Sequence, residues 1–291
     1  MRLRAVAIIL GIAVYGMPEP LRACNVPVFR YAMERWAADP YQVVIYHRGQ
    51  EQAEAWARLR EPGHANLSLQ DVDVSTPEGK ALAGRRGIAG SPWVEVYYPL
   101  NSRIRKAVWS GPLSGARAGS ILHSPLRAQL ARRLLDGEVA VWILLKSGQA
   151  EKDSRALETL RRELDRASAT LRVPETGIDA DGNLIEVTDF KTYPVRFGLM
   201  EVARDDPEEQ LLVNALLASE PDLRRYDEPI AFPVFGRGRV LYALVGKGIK
   251  EKTIWDACNS MLAWCSCEIK ALNPGTDLLI AADWSRPAGG K

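Results

Sequence analysis

Two short runs of the chain are apolar almost without interruption: residues 41–47 (YQVVIYH) and 139–145 (VAVWILL). Runs of this length, rich in β-branched and aromatic residues, read as strands buried on both faces. Strands of that kind need helices on either side, so the pattern predicts an α/β architecture. Each run ends in a similar turn, Arg48-Gly49-Gln50 in one case and Ser147-Gly148-Gln149 in the other. A helical pattern follows both, over 51–60 and 153–169, the second with apolar residues at Leu157, Leu160, Leu164 and Ala167.

The correspondence continues. In the first half a helix is predicted over 28–36 and an alternating strand over 66–74. Ser91-Pro92 then opens a hairpin of 93–98 and 104–109, turned at Asn101-Ser102. A helix runs from Pro125 to Leu135, with Ser124 as its cap and Asp136-Gly137 as its stop. In the second half a helix over 207–217 precedes Pro229 and a hairpin of 230–235 and 240–245, and a helix over 251–264 follows. Strand, Gly-Gln turn, helix, proline, hairpin and closing helix thus occur twice, which reads as an internal duplication. The predicted units are 24–137 and 138–291, the second extended by a closing segment from Cys265 with a strand over 267–272 that begins at Cys267, a turn at 273–275 and a strand over 278–282.

That layout, over about 40–264, resembles the thioredoxin fold taken twice in tandem. The second hairpin carries the resemblance furthest: Phe235-Gly236-Arg237-Gly238-Arg239-Val240 and then Val245-Gly246 is similar in spacing to the thioredoxin hairpin that ends in a glycine before the last helix. The resemblance implies a Cys-x-x-Cys pair where the first strand meets its helix, since a helix N-terminus there stabilises a thiolate. Those positions read His47-Arg48-Gly49-Gln50 and Lys146-Ser147-Gly148-Gln149, with no cysteine at either. It also implies a cis proline facing the site, and Pro92 and Pro229 fill the matching places. What remains is a groove at each strand end: His47, Arg48, Ser91 and Pro92 in the first unit, Lys146, Ser147 and Pro229 in the second. Such grooves suit an extended peptide pairing with the backbone beside the proline. The plainer reading of the same residues is charged strand ends that face water.

The four cysteines are the other chemical signal: Cys258, Cys265 and Cys267 lie close together, with Cys24 far away. Four cysteines allow three pairings. A structural bond from Cys258 to Cys265 or Cys267 and a redox-active pair are both readings of this cluster. The histidines His47, His64 and His123 are scattered at no zinc-like spacing, so neither a metal nor a cofactor is expected. Gly236-Arg237-Gly238 lacks the lysine and hydroxyl of a phosphate loop, and Asp179-Ala180-Asp181-Gly182-Asn183 lacks EF-hand spacing.

The first residues bear on destination. Arg2 and Arg4 precede an apolar run, Ala5 to Tyr15, that Gly16 and Pro18 break. The run is too short to span a bilayer, which takes about 20 residues, and the arrangement is that of a signal peptide over 1–23. Leu21-Arg22-Ala23-Cys24 resembles the lipobox of bacterial lipoproteins, with Arg22 and Pro18-Glu19-Pro20 as departures. The expected localisation is therefore exported, periplasmic or envelope-associated, with membrane attachment through a lipidated Cys24 as one form. Arg2, Arg4 and Arg22 against Glu19 account for the whole formal charge of +2, so the remainder is neutral. A neutral chain lacks the basic surplus of a nucleic-acid binder. The expected function is a non-catalytic binding or scaffold protein for a protein or peptide partner, and the alternative is an envelope thiol–disulfide oxidoreductase using Cys258, Cys265 and Cys267.

Overall fold

The computed structural model describes residues 26–49, 56–102, 104–178, 184–186, 192–264 and 275–285. Helix α1 (Val28–Arg35) precedes β1 (Tyr41–His47). A short helix α2 (Ala57–Arg60), strand β2 (Leu67–Asp73) and helix α3 (Pro77–Arg86) follow. Strands β3 (Trp93–Tyr97) and β4 (Ala107–Pro112) form a hairpin, and helices α4 (Gly115–Leu122) and α5 (Pro125–Leu135) lead out of it. Next come β5 (Ala140–Lys146), α6 (Ala150–Thr170), a small hairpin of β6 (Thr176–Ile178) and β7 (Leu184–Glu186), and β8 (Phe197–Ala203). Helix α7 (Gln210–Leu217), strands β9 (Ile230–Phe235), β10 (Arg239–Val240) and β11 (Leu244–Val245), and helix α8 (Glu251–Leu262) complete the order.

The chain is α/β and has two units, each a mixed sheet flanked by helices. The first sheet has the order β2-β1-β3-β4, with β1 parallel to β2 and antiparallel to β3. The second has the order β10-β9-β5-β8, with β5 parallel to β8 and antiparallel to β9, and β11 also pairing with β9. Centre strand, parallel neighbour and antiparallel neighbour thus recur in both. The glycines of the two matching turns, Gly49 and Gly148, both have positive φ (59° and 86°), which a residue without Cβ adopts freely.

The two central strands differ in burial. In β5 every residue from Ala140 to Leu145 is buried, as its apolar run predicts. In β1 only one face is sealed completely: Tyr41, Val43 and Ile45 are buried, whereas Gln42 and Val44 on the other face are half-buried. The cover explains the difference. The outer face of the second sheet carries α1, α6 and α8, through Phe29, Ala32, Leu160, Leu164, Ile254 and Met261. The outer face of the first carries a small cluster of Tyr46, Val72 and Ala83, the last from α3. Helix α1, although first in sequence, packs on the second sheet: the Val28 amide donates to the Ala263 carbonyl (2.9 Å), and Arg237 donates to Met33 and Glu34 carbonyls (2.8 and 2.9 Å).

The inner faces of both sheets share one core. Tyr41, Val43, Ile45, Val141, Ile143 and Phe232 all belong to it, with residues of α4, α5 and α7 between. The closing segment enters the same core, with Leu278, Leu279 and Ile280 at most 1% exposed. Residues 278–282 are not the predicted strand. They make isolated bridges, Asp277 to Arg239 and Ala281 to Ala65, because side chains satisfy most of their backbone. Asn66 Nδ2 donates to the Leu278 carbonyl (3.1 Å), the Ile280 amide donates to Asn66 Oδ1 (2.9 Å), and Arg127 donates to the Leu279 carbonyl (2.9 Å).

Other departures from the sequence reading are local. Strand β4 begins three residues later than expected, and its pairing with β3 has a one-residue register break between Val96 and Tyr97. The predicted strand 240–245 is two short pieces, because the Ala243 amide turns away to the Glu220 carboxylate (2.8 Å). Ser124 does not cap α5: its hydroxyl donates to Glu209 (2.6 Å), whose other oxygen accepts the Leu126 amide (2.7 Å). Residues 1–25 and 265–274, including the strand expected over 267–272, lie outside the described residues, as do Gln50, 51–55 and Asp179 to Asn183.

Candidate functional site

The two strand ends were expected to match, and they do not. At the first, Tyr46 pairs with Trp93, which brings His47 beside Pro92 at the sheet end, and His47 pairs with Asp73 on the other side. The Ser91–Pro92 bond is cis. Ser91, Pro92 and His47 are half-buried, and Arg48 is exposed. His47 is well held: Nδ1 lies 3.1 Å from the Gly49 carbonyl, and the ring rests on Trp56 with centroids 4.8 Å apart. A carbonyl only accepts, so Nδ1 donates and Nε2 is left as the acceptor of the neutral imidazole. Trp56 is completely buried, and the Arg60 guanidinium lies 5.8 Å from its ring. Asp73 sits below the usual carboxylate range, chiefly because the Ser75 amide donates to it (2.8 Å), with Gly49 and His47 adding to the effect.

At the second strand end the corresponding donors are already used. Asp153, on the first turns of α6, accepts the Ser147 amide (2.7 Å), the Ser147 hydroxyl (2.8 Å) and the Gly148 amide (3.0 Å). Lys146 faces Glu201 of the neighbouring strand at 3.7 Å. Pro229 lies opposite Lys146 by register but is buried, its carbonyl accepts the Gly246 amide (2.9 Å), and its preceding bond is trans. Lys146 and Ser147 do line a cavity of about 620 Å³, shared with Glu201, Arg204 and Asp205. The proline that the sequence places in this groove is not among its lining residues.

Cys258 lies on α8 facing the core, fully buried and a free thiol. Burial pushes it up to about 12, so the thiolate needed for exchange is disfavoured at neutral pH. Cys24, Cys265 and Cys267 lie outside the described residues. Among the described residues no three His, Cys, Asp or Glu side chains converge as metal ligands, and no helix is long and apolar enough to cross a membrane.

Two site residues escaped the sequence reading. Asp73 ends β2 in an Asp-x-Ser-Thr turn, a local signal that could have been read. Asp153 follows Ser147 by six residues, and only the fold shows that it closes the turn rather than facing water. No protein-family model matches the chain, and no curated protein sequence matches it.

Proposed function

We propose that this is an exported, non-catalytic binding protein of the bacterial envelope, with two degenerate thioredoxin-like units, and that it holds an extended peptide at the His47 end of its first sheet. The observation that carries the reading is the same strand order twice, with no cysteine at either strand end and the donors of the second turn taken by Asp153. There, half-buried Ser91 and Pro92 offer an irregular edge beside an imidazole whose acceptor nitrogen is free of the Gly49 bond. The second unit then serves as scaffold, its turn occupied by Asp153. Export is proposed from the basic start and apolar run before Cys24, with lipid attachment at Cys24 as the membrane-bound form.

The test uses the purified chain and peptides selected on it from a random-peptide library. His47→Ala and Arg48→Ala should weaken a selected peptide by about fivefold or more, the loss of one hydrogen bond each. Lys146→Ala should leave its affinity unchanged. Peptides that bind equally to all three variants would overturn the assignment to this strand end.

A further inference from the structure

A separate cavity of about 670 Å³ shares no lining residue with either strand end. Three parts of the chain that are far apart in sequence meet there: α2 with the loop after it, the end of α4, and the closing segment. Its apolar surface comes from buried Leu122 and from Ala281 and Ala282, which the bridge between Ala65 and Ala281 holds in place. Its polar surface includes Arg58, His64 and His123, two of the three histidines of the chain. Arg58 lies across α4: a methyl group added at Gly119 would come within 3.4 Å of its guanidinium.

These three groups are uncommitted. Among the described residues none of them hydrogen-bonds or ion-pairs through its side chain. Arg60 by contrast pairs with Asp71, Arg133 with Glu138, and Arg127 donates to three carbonyls and Ser124. A guanidinium is a fork of donors that fits a carboxylate, and one beside two imidazoles and an apolar floor selects an anion with an apolar body. Glu61 and Asp283 also border the cavity, and Asp283 Oδ1 accepts the Ser285 amide at 3.0 Å. Arg58 and the imidazole N–H groups of His64 and His123 are the donors this lining offers an anion.

We propose that this cavity binds a small organic anion, its carboxylate on Arg58 and His123 and its short apolar chain on Leu122, Ala281 and Ala282. The affinity is modest, on the order of millimolar, because the charged groups are open to solvent.

Titration calorimetry of the full chain with octanoate, and with octanol as the uncharged probe, tests this at neutral pH. Octanoate should bind saturably and octanol much less. Arg58→Gln and His123→Gln should each weaken octanoate by about tenfold, and Gly119→Val, which puts a side chain into the cleft against Arg58, should abolish binding. Octanol binding as tightly as octanoate, octanoate binding unchanged by Arg58→Gln, or no saturable binding of octanoate would each overturn the proposal.

Discussion

At the scale of single residues, the side chains that hold the molecule together are the buried charged ones. Arg127 is 2% exposed and gives its donors to Ser124 and to the carbonyls of Ser120, Ile121 and Leu279. Ser124 in turn donates to Glu209, also 2% exposed, so one network joins α4, α5, the start of α7 and the closing segment. Removing one partner leaves the other buried without compensation. Arg127→Leu is expected to destabilise the chain by about 3–5 kcal/mol in urea unfolding. A loss under about 1 kcal/mol would mean that the network is not sealed from water.

A second residue-scale prediction concerns the outer face of the first sheet. Tyr46 and Tyr97 both donate to Glu95 Oε2 at 2.8 Å, and Arg86 donates to the Tyr97 hydroxyl at 2.9 Å. Burial and the Glu95 carboxylate raise Tyr97 to about 12 and Tyr46 further still. The folded state therefore holds these protons after the unfolded chain, with tyrosines near 10, has released them. Their stabilisation is complete below about pH 10 and is lost as pH rises toward about 12. Thermal unfolding measured over that range should show Tm falling, with a shallower fall in Tyr97→Phe.

At the scale of elements, what could be read in the sequence depended on whether a signal was local. Strands β1, β5 and β9 stood out because their burial writes itself as apolar residues side by side. Helix α3 did not, although Thr76 caps it at the Gly79 amide (3.1 Å) and Gly87 ends it with φ of 70°. Its glycines and arginines dilute the apolar stripe. Strand β8 alternates buried and half-buried residues as an edge strand should, but Gly198 supplies no side chain to the pattern, since a Cβ there would collide with Glu138 and Arg133. The inequality of the two strand ends was hidden for a different reason. The turns look alike, and Asp153 acts through the fold. Asp153→Ala should destabilise by about 1–2 kcal/mol through loss of its bonds to the Ser147–Gly148 turn, whereas Asp153→Asn should retain most of it, as chemical denaturation would measure.

For the whole molecule, the two α/β units are not two independent bodies. The inner faces of both sheets lie in one cluster of buried residues, and the closing segment is built into it. Asp277 ties the two halves directly: it pairs with Arg239 (2.9 Å) and accepts the Asp39 amide (2.8 Å), while its carbonyl accepts the Tyr41 hydroxyl (2.9 Å). None of this could be read from residues 275–285, whose contacts lie up to 238 positions away. Leu279→Ala should therefore destabilise by about 2–5 kcal/mol, and both halves should still unfold in a single transition followed by fluorescence and circular dichroism. Two separate transitions would mean that the shared core is not continuous.

The central claim, that the first strand end binds peptide without thiol chemistry, is tested most directly by one affinity. The dissociation constant of a library-selected peptide would be compared for the untreated chain, the chain with its accessible thiols alkylated, and His47→Ala. Binding that is unchanged by alkylation and weakened by His47→Ala is the predicted result. Binding lost on alkylation and indifferent to His47 would contradict the account and move the site to the cysteines.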